Sequence, residues 1–316
     1  MLGIFLDRGS LDLGDLDFNS LMGLDMQWKM YEQTQPHEVL ERIVDADIVI
    51  SNKVMLDASV LGAVKKLRLI CVAATGTNNV DLDAASANAI TVSNVRAYGT
   101  PSVVQHVFTL LTALSTNFLK YQQDIHEGRW QKETQFCFMD HPIRELAGRT
   151  IGIVGYGELG KAVANVAEAF AMKVLIAQRP GGEPVAGRIP LHELLPRVDV
   201  LSLHCPLTDA TRDLIGVEEL SLMQRHAILI NTARGGIVDE AALATALREG
   251  RLGGAGIDVL TQEPPVQGNV LLDSSIPNLI VTPHIAWASR ESRQRLLEQV
   301  VENISSYLAG AAMRVV

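Results

Sequence analysis

Four side chains able to bind an anion or move a proton stand at the ends of apolar runs in the C-terminal half of the chain. The run 228–230 leads into Asn231-Thr232-Ala233-Arg234-Gly235-Gly236. The run 255–257 leads into Asp258, with Glu263-Pro264-Pro265 five residues later, and 279–281 leads into Thr282-Pro283-His284. In open α/β sheets, ligands bind beyond the carboxyl ends of the strands. Each of the four also suits an ordinary turn, cap or loop. Four of them at one sheet edge point to a shared site. The chemistry they suit is hydride transfer between a nicotinamide and a 2-oxo acid. Arg234 offers a rigid two-pronged donor for a carboxylate and a carbonyl. A histidine titrates near neutrality, so His284 suits the role of proton donor to a developing alkoxide. Glu263 is placed to accept from the other ring nitrogen, and Asp258 to accept from a nicotinamide carboxamide.

The partner chemistry lies upstream. Gly155-Tyr156-Gly157-Glu158-Leu159-Gly160 follows the apolar run 151–154 and opens a helical stretch at 161–170. That context turns a weak G-x-G-x-x-G pattern into a dinucleotide signature. Gly155 permits the tight turn, Gly157 lets backbone approach a pyrophosphate, and Gly160 allows close helix–strand packing. An acidic ribose ligand is expected some 20 residues on. The second strand ends instead in Gln178-Arg179-Pro180-Gly181-Gly182. With no carboxylate there and Arg179 able to meet a 2′-phosphate, the cofactor expected is NAD(P), with NADP(H) weakly preferred.

The elements that must hold these groups alternate strand and helix, which predicts βαβ units and mostly parallel sheets. Strands are expected at 2–6, 27–31, 47–51, 67–72 and 90–93, with helices at 36–44, 57–64 and 81–89. Asp57 and Asp81 are the expected N-caps. A break at Tyr98-Gly99-Thr100-Pro101 precedes a helix running to about Gln123, with Pro101 in its first turn. A second α/β unit opens at Arg149, with strands at 151–154, 173–177, 200–204, 227–231, 254–259 and 279–282. A last helix covers 291–308. The fold class expected is α/β, with two doubly wound parallel-sheet domains and a cleft between them.

The chain has 316 residues, 47% hydrophobic and 20% charged, with 27 Lys+Arg against 36 Asp+Glu and a net charge of −9. This is the composition of a two-domain globular protein. It argues against broad binding to nucleic acid or acidic lipid. Three scattered cysteines, Cys71, Cys137 and Cys205, with no CxxC, read as reduced thiols and a cytoplasmic location. The N-terminus lacks the basic region of a signal peptide. The charge-free stretch from Ala97 to Leu119 holds too many polar groups for a membrane span. No metal ligand set is assigned.

The glycine loop, the Asn231 to Gly236 segment, Asp258-Val259, Glu263-Pro264 and Thr282-Pro283-His284 resemble the D-isomer-specific 2-hydroxyacid dehydrogenases. The resemblance covers nearly the whole chain, and the order Arg, Glu, His at offsets of 29 and then 21 positions carries it most specifically. It implies a catalytic Arg234, a proton-donating His284 and its partner Glu263. It implies a substrate domain at 1–98 and 285–316 and a dinucleotide-binding domain at 99–284. It further implies that backbone N–H groups of Thr75 and Gly76 hold the substrate carboxylate and that Thr100 faces the cofactor. Glu158 and Leu159 would lie beside the pyrophosphate, Cys205 and Pro206 would line the adenosine side, and Thr232 belongs to the same cofactor set.

The segment His284-Ile285-Ala286-Trp287-Ala288-Ser289 is most similar to the glycerate dehydrogenase (hydroxypyruvate reductase) branch of the family. Trp287 is then a candidate wall of the substrate pocket, and hydroxypyruvate or glyoxylate the expected substrate, giving a D-2-hydroxy acid. Three alternatives stay open. Formate dehydrogenases use Gln where Glu263 stands. Phosphoglycerate dehydrogenase shares the frame, and so do corepressor-like proteins that bind a nicotinamide without catalysis. The helix 102–121 is apolar nearly all round, so it must be buried on more than one side. A homodimer through this helix is expected.

Overall fold

A computed structural model describes residues 1–316. The chain divides into two compact units, Met1–Gly99 with Ala288–Val316, and Thr100–Trp287.

The first unit is built on five parallel strands, β1 (Leu2–Phe5), β2 (Gln27–Met30), β3 (Ile48–Ser51), β4 (Leu69–Val72) and β5 (Thr91–Ser93), in the order β2-β1-β3-β4-β5. β3 and β4 are buried at every position, as expected for strands covered on both faces. The two expected N-caps form: Asp57 accepts from the Val60 amide at 3.0 Å and Asp81 from the Ala84 amide at 2.9 Å. The closing helix Arg290–Leu308 packs on β4. Its Arg293 is buried and grips both oxygens of Asp15 at 2.7 Å, holding that carboxyl down at about 2.

The second unit is built on six parallel strands, β6 (Thr150–Val154), β7 (Lys173–Ile176), β8 (Val200–Leu203), β9 (Ile228–Asn231), β10 (Gly254–Ile257) and β11 (Leu279–Val281). Their order is β11-β10-β9-β8-β6-β7. The strand order reverses between β6 and β8, so a crevice opens at the carboxyl ends of those two strands. One apolar core, containing Leu201, Leu229 and Leu243, lies on one face of the sheet. The other, containing Val107, Leu111, Ile151 and Val163, lies under the helices Thr100–Ser115 and Glu158–Ala169.

The helix expected as one piece is two. Asn117 takes a left-handed backbone, φ 50°, between Thr100–Ser115 and Phe118–His126. The apolar faces of the first piece are covered by its own chain. Val103, Val104, Val107, Phe108, Leu110 and Leu111 are buried in the core against β9, β10 and the Glu158–Ala169 helix. β10 presents Gly254 and Gly256 to this helix, and Leu110 and Leu114 fill the space that their side chains would take. The all-round apolar character of this helix therefore needs no second subunit. Within the expected helix 102–121, the large apolar side chains that stay exposed, Phe118 and Leu119, lie after Asn117.

Candidate active site

The site grows from strand ends. After β6 the chain turns at Gly155, φ +90°, where a Cβ would stand 2.6 Å from the His204 carbonyl carbon and the Cys205 amide nitrogen. Only a glycine lets the turn lie against the end of β8. A Cβ on Gly160 would strike the Gly155 carbonyl oxygen, so the helix that follows presses on the turn it leaves. Gly157 is the N-cap, makes no side-chain cap bond, and a Cβ there would meet nothing within 4 Å. The N-terminus of this 12-residue helix thus carries no side-chain cap and has open space beside its N-cap, as an anion site needs. Glu158 accepts from the Thr100 hydroxyl beside it, and Leu159 packs on the core.

After β7, Gln178 is built into its own loop. Its amide donates to the Gly182 carbonyl at 3.2 Å and to the Glu183 carbonyl, and its oxygen accepts from the Val185 amide at 3.2 Å. Arg179 is exposed, with its stem along Gly182. After β8 come His204, the buried Cys205, whose thiol burial pushes up, and the exposed Pro206. Two polar atoms at these strand ends are buried without a partner, His204 Nδ1 and Thr232 Oγ1. An open helix N-terminus, a glycine-lined turn and two orphaned polar atoms at one sheet edge fit a dinucleotide.

After β9, the Asn231 side chain staples its turn. It accepts from the Ala233 amide at 3.0 Å and donates to the Arg234 carbonyl at 3.0 Å. Arg234 is exposed, and its Nη1 donates to the Ala233 carbonyl at 2.6 Å. A Cβ on Gly235 would collide with the Leu260 carbonyl. This close approach sets the Arg234 turn directly on the loop that carries Glu263. In that loop Glu263 Oε1 accepts from the Leu260 amide at 2.8 Å, and His284 Nδ1 donates to Glu263 Oε2 at 2.6 Å. A carboxylate only accepts, so Nδ1 bears the hydrogen and Nε2 is the ring nitrogen left for chemistry. Both side chains keep 34% of their surface exposed, which leaves the pair reachable.

Asp258 directly follows β10. Its side chain is fully enclosed, and it accepts from Thr282 Oγ1 at 2.6 Å and from the amides of Ile285 and Ala286 at 2.9 Å. Its carboxylate thus holds the segment that carries His284. Trp287 is also tied to that segment, its indole N–H donating to the His284 carbonyl at 3.0 Å while the residue packs on the core. In the first unit, Thr75 is exposed beyond the carboxyl end of β4, and Asn94 holds its carbonyl at 2.7 Å. The structure therefore brings Glu263 and His284 into contact and sets the Arg234 turn against their loop. His204, which the strand-end reading passed over, is the polar residue delivered by the run 200–203.

Residues 108–286 match the model of the D-isomer specific 2-hydroxyacid dehydrogenase NAD binding domain. A glycerate dehydrogenase of Methylorubrum extorquens is 48% identical over 314 residues, covering 99% of this chain and 98% of its own. A hydroxypyruvate reductase of Blautia hydrogenotrophica is 38% identical over 319 residues, covering 99% and 98%. Among solved structures, an NADPH-dependent glyoxylate/hydroxypyruvate reductase of Sinorhizobium meliloti, in complex with NADP and malonate, superposes with a TM-score of 0.82. It is 29% identical, covering 100% of this chain and 96% of that one. Fold and site together define a nicotinamide-dependent oxidoreductase. The chain belongs to the D-isomer specific 2-hydroxyacid dehydrogenase family, whose members interconvert 2-oxo and 2-hydroxy acids. No helix is long and apolar enough to cross a membrane.

Proposed function

We propose that this enzyme reduces hydroxypyruvate or glyoxylate, with NADPH preferred and NADH still used. The observation that carries the reading is the Glu263–His284 pair, 2.6 Å apart on the sheet edge that also bears the glycine loop. A reduced nicotinamide, when bound, supplies the hydride. His284 Nε2 supplies the proton that the substrate oxygen takes up. Glu263 holds the ring in the tautomer that leaves Nε2 for chemistry. Arg234 binds the substrate carboxylate and polarises its carbonyl, and in the first unit the backbone N–H groups of Thr75 and Gly76 are donors suited to a substrate carboxylate. The unit Thr100–Trp287 takes the cofactor, with its pyrophosphate on the amides at Gly157 to Gly160. Thr100, Glu158, Leu159, Cys205, Pro206 and Thr232 surround it.

Support for NADPH is local. Gln178 brings no charge, and its amide is spent on its own loop, while Arg179 is exposed beside it. A charge-assisted bond to a 2′-phosphate contributes roughly 1.5–3 kcal/mol. The similarity to a glycerate dehydrogenase, a hydroxypyruvate reductase and an NADPH-dependent glyoxylate/hydroxypyruvate reductase supports both substrate and cofactor. Three free cysteines support a reducing, cytoplasmic setting, and a homodimer completes the reading.

The test is a kinetic panel of 2-oxo acids with each reduced cofactor, in wild type, Arg179→Ala and His284→Asn. His284 has a left-handed backbone, φ 55°, which asparagine tolerates better than alanine, so His284→Asn removes the acid with the least backbone strain. Turnover with hydroxypyruvate is expected to fall roughly 10²- to 10⁴-fold while cofactor binding persists. Wild-type turnover in His284→Asn overturns the assigned role. A wild-type preference for NADH, or an unchanged NADPH kcat/KM in Arg179→Ala, overturns the cofactor assignment.

A further inference from the structure

We infer that His106 is a positioning residue that holds the His284 segment in its reactive arrangement, an inference that rests on His284 being the proton donor. The segment from Thr282 to Trp287 has little regular structure of its own, and its order comes from outside contacts. The His284 amide donates to the Asp258 carbonyl at 2.8 Å. The Asp258 carboxylate takes the next two amides, Ile285 and Ala286, both at 2.9 Å. Three successive amides thus end on one residue, and the direction of the His284 side chain depends on how Asp258 is held.

Asp258 is itself held through a relay. Thr282 Oγ1 donates its single proton to Asp258 Oδ1 at 2.6 Å. It must therefore accept in its contact with His106 Nε2, at 2.9 Å. The hydrogen of His106 is thereby fixed on Nε2, which also stands 3.5 Å from Asp258 Oδ1. The order is His106 N–H to Thr282 O–H to carboxylate. Four residues earlier, on the same face of the Thr100–Ser115 helix, Ser102 Oγ donates to the Ala286 carbonyl at 2.7 Å. One helix face therefore grips the segment at both ends, through His106 at Thr282 and through Ser102 at Ala286. His106 stands beside the apolar residues Val103, Val107 and Leu110 on a core helix. What it adds is one directed donor, and that donor ends at the loop carrying His284.

His106 touches no reacting atom, so the test must separate position from packing. His106→Leu keeps the volume and loses the donor; His106→Gln keeps an N–H near Nε2. With hydroxypyruvate and NADPH, His106→Leu is expected to lower kcat about 10- to 100-fold, the scale of a displaced catalytic group. KM for the oxo acid and the NADPH Kd, read by fluorescence titration, should stay at their wild-type values. His106→Gln should recover most of the lost kcat. Wild-type kcat in His106→Leu overturns the inference, as does a loss that glutamine does not recover and that follows Tm. Where His106→Leu does not fold, Thr282→Ser and Thr282→Val give the same comparison: serine active and valine slow supports the relay, and equal rates overturn it. His284→Asn, run alongside, distinguishes the two levels. Full turnover there removes the underlying reading; a slow His284→Asn with a fast His106→Leu removes only this inference.

Discussion

His204 Nδ1 is enclosed without a partner, while Nε2 bonds Ser202 Oγ at 2.8 Å. Burial lowers the ring's pKa to about 4, against 6.5 for an ordinary histidine. Between those values the unfolded chain binds a proton that the folded chain refuses. Stability from this residue is therefore complete above pH 6.5 and is lost as pH falls toward 4, on the order of 3 kcal/mol in total. Carboxylates also titrate in acid, so the expected result is a difference. The Tm gap between wild type and His204→Gln should shrink as pH drops from 7.5 to 4, and a gap independent of pH would refute the assignment. Residues of this kind mark the limit of what the sequence shows. Strand ends locate Arg234, Glu263 and His284, because a strand's last residue has a fixed place. The use of Asp258 on three loop donors, and the orphaned nitrogen of His204, depend on packing across the sheet. No spacing along the chain encodes that.

Strand positions were legible because parallel strands read as short apolar runs, and the eleven strands lie within a residue or two of those runs. The break in the long helix was not legible. Nothing in Ser115-Thr116-Asn117-Phe118 stops a helix as proline would; Asn117 does so by taking φ 50° and donating its side-chain amide to the Pro142 carbonyl at 2.7 Å. Left-handed backbone costs a residue with a Cβ roughly 1–2 kcal/mol, and asparagine and glycine least. Asn117→Ala should therefore lower thermal stability more than Asn117→Gly, although both lose the bond to Pro142. Equal Tm values for the two would show that the bond, not the backbone, sets the break. The two sheets also differ at matching points. Where β6 ends in the Gly155 turn, β1 leads to Asp7, whose buried carboxylate accepts from the Asn52 and Lys53 amides at 2.9 and 2.7 Å. At that point of the first unit a carboxylate thus takes backbone amides that the second unit's glycine turn leaves free of any side chain.

For the molecule as a whole, the quaternary prediction moves from one stretch of chain to the next. The helix Thr100–Ser115 is apolar all round because its own core surrounds it. Beyond Asn117 the pattern reverses, and large apolar side chains face water. Phe136 is 87% exposed and Met139 82%, with Phe118, Leu119, Trp130 and Ile143 each more than half exposed. Single exposed apolar residues are ordinary, but six within 26 residues of chain are a concentration of apolar surface, and the interface prediction rests on them. The stretch is also ordered. Tyr121 bonds the His141 carbonyl at 2.7 Å, and Arg129 pairs with Asp124 at 3.3 Å and stacks over Phe138 at 4.6 Å. An ordered apolar surface on a chain of net charge −9 suits a self-complementary contact, since two copies meeting through charged faces would repel. A stable contact buries about 800 Å² on each partner, within reach of such a stretch. Light scattering at micromolar concentration should give a dimer for wild type. Phe136→Glu with Met139→Glu should give monomers that still bind NADPH, because neither residue lies at the strand ends that hold the cofactor. A wild-type monomer, or a dimer untouched by both glutamates, would place the contact elsewhere or remove it.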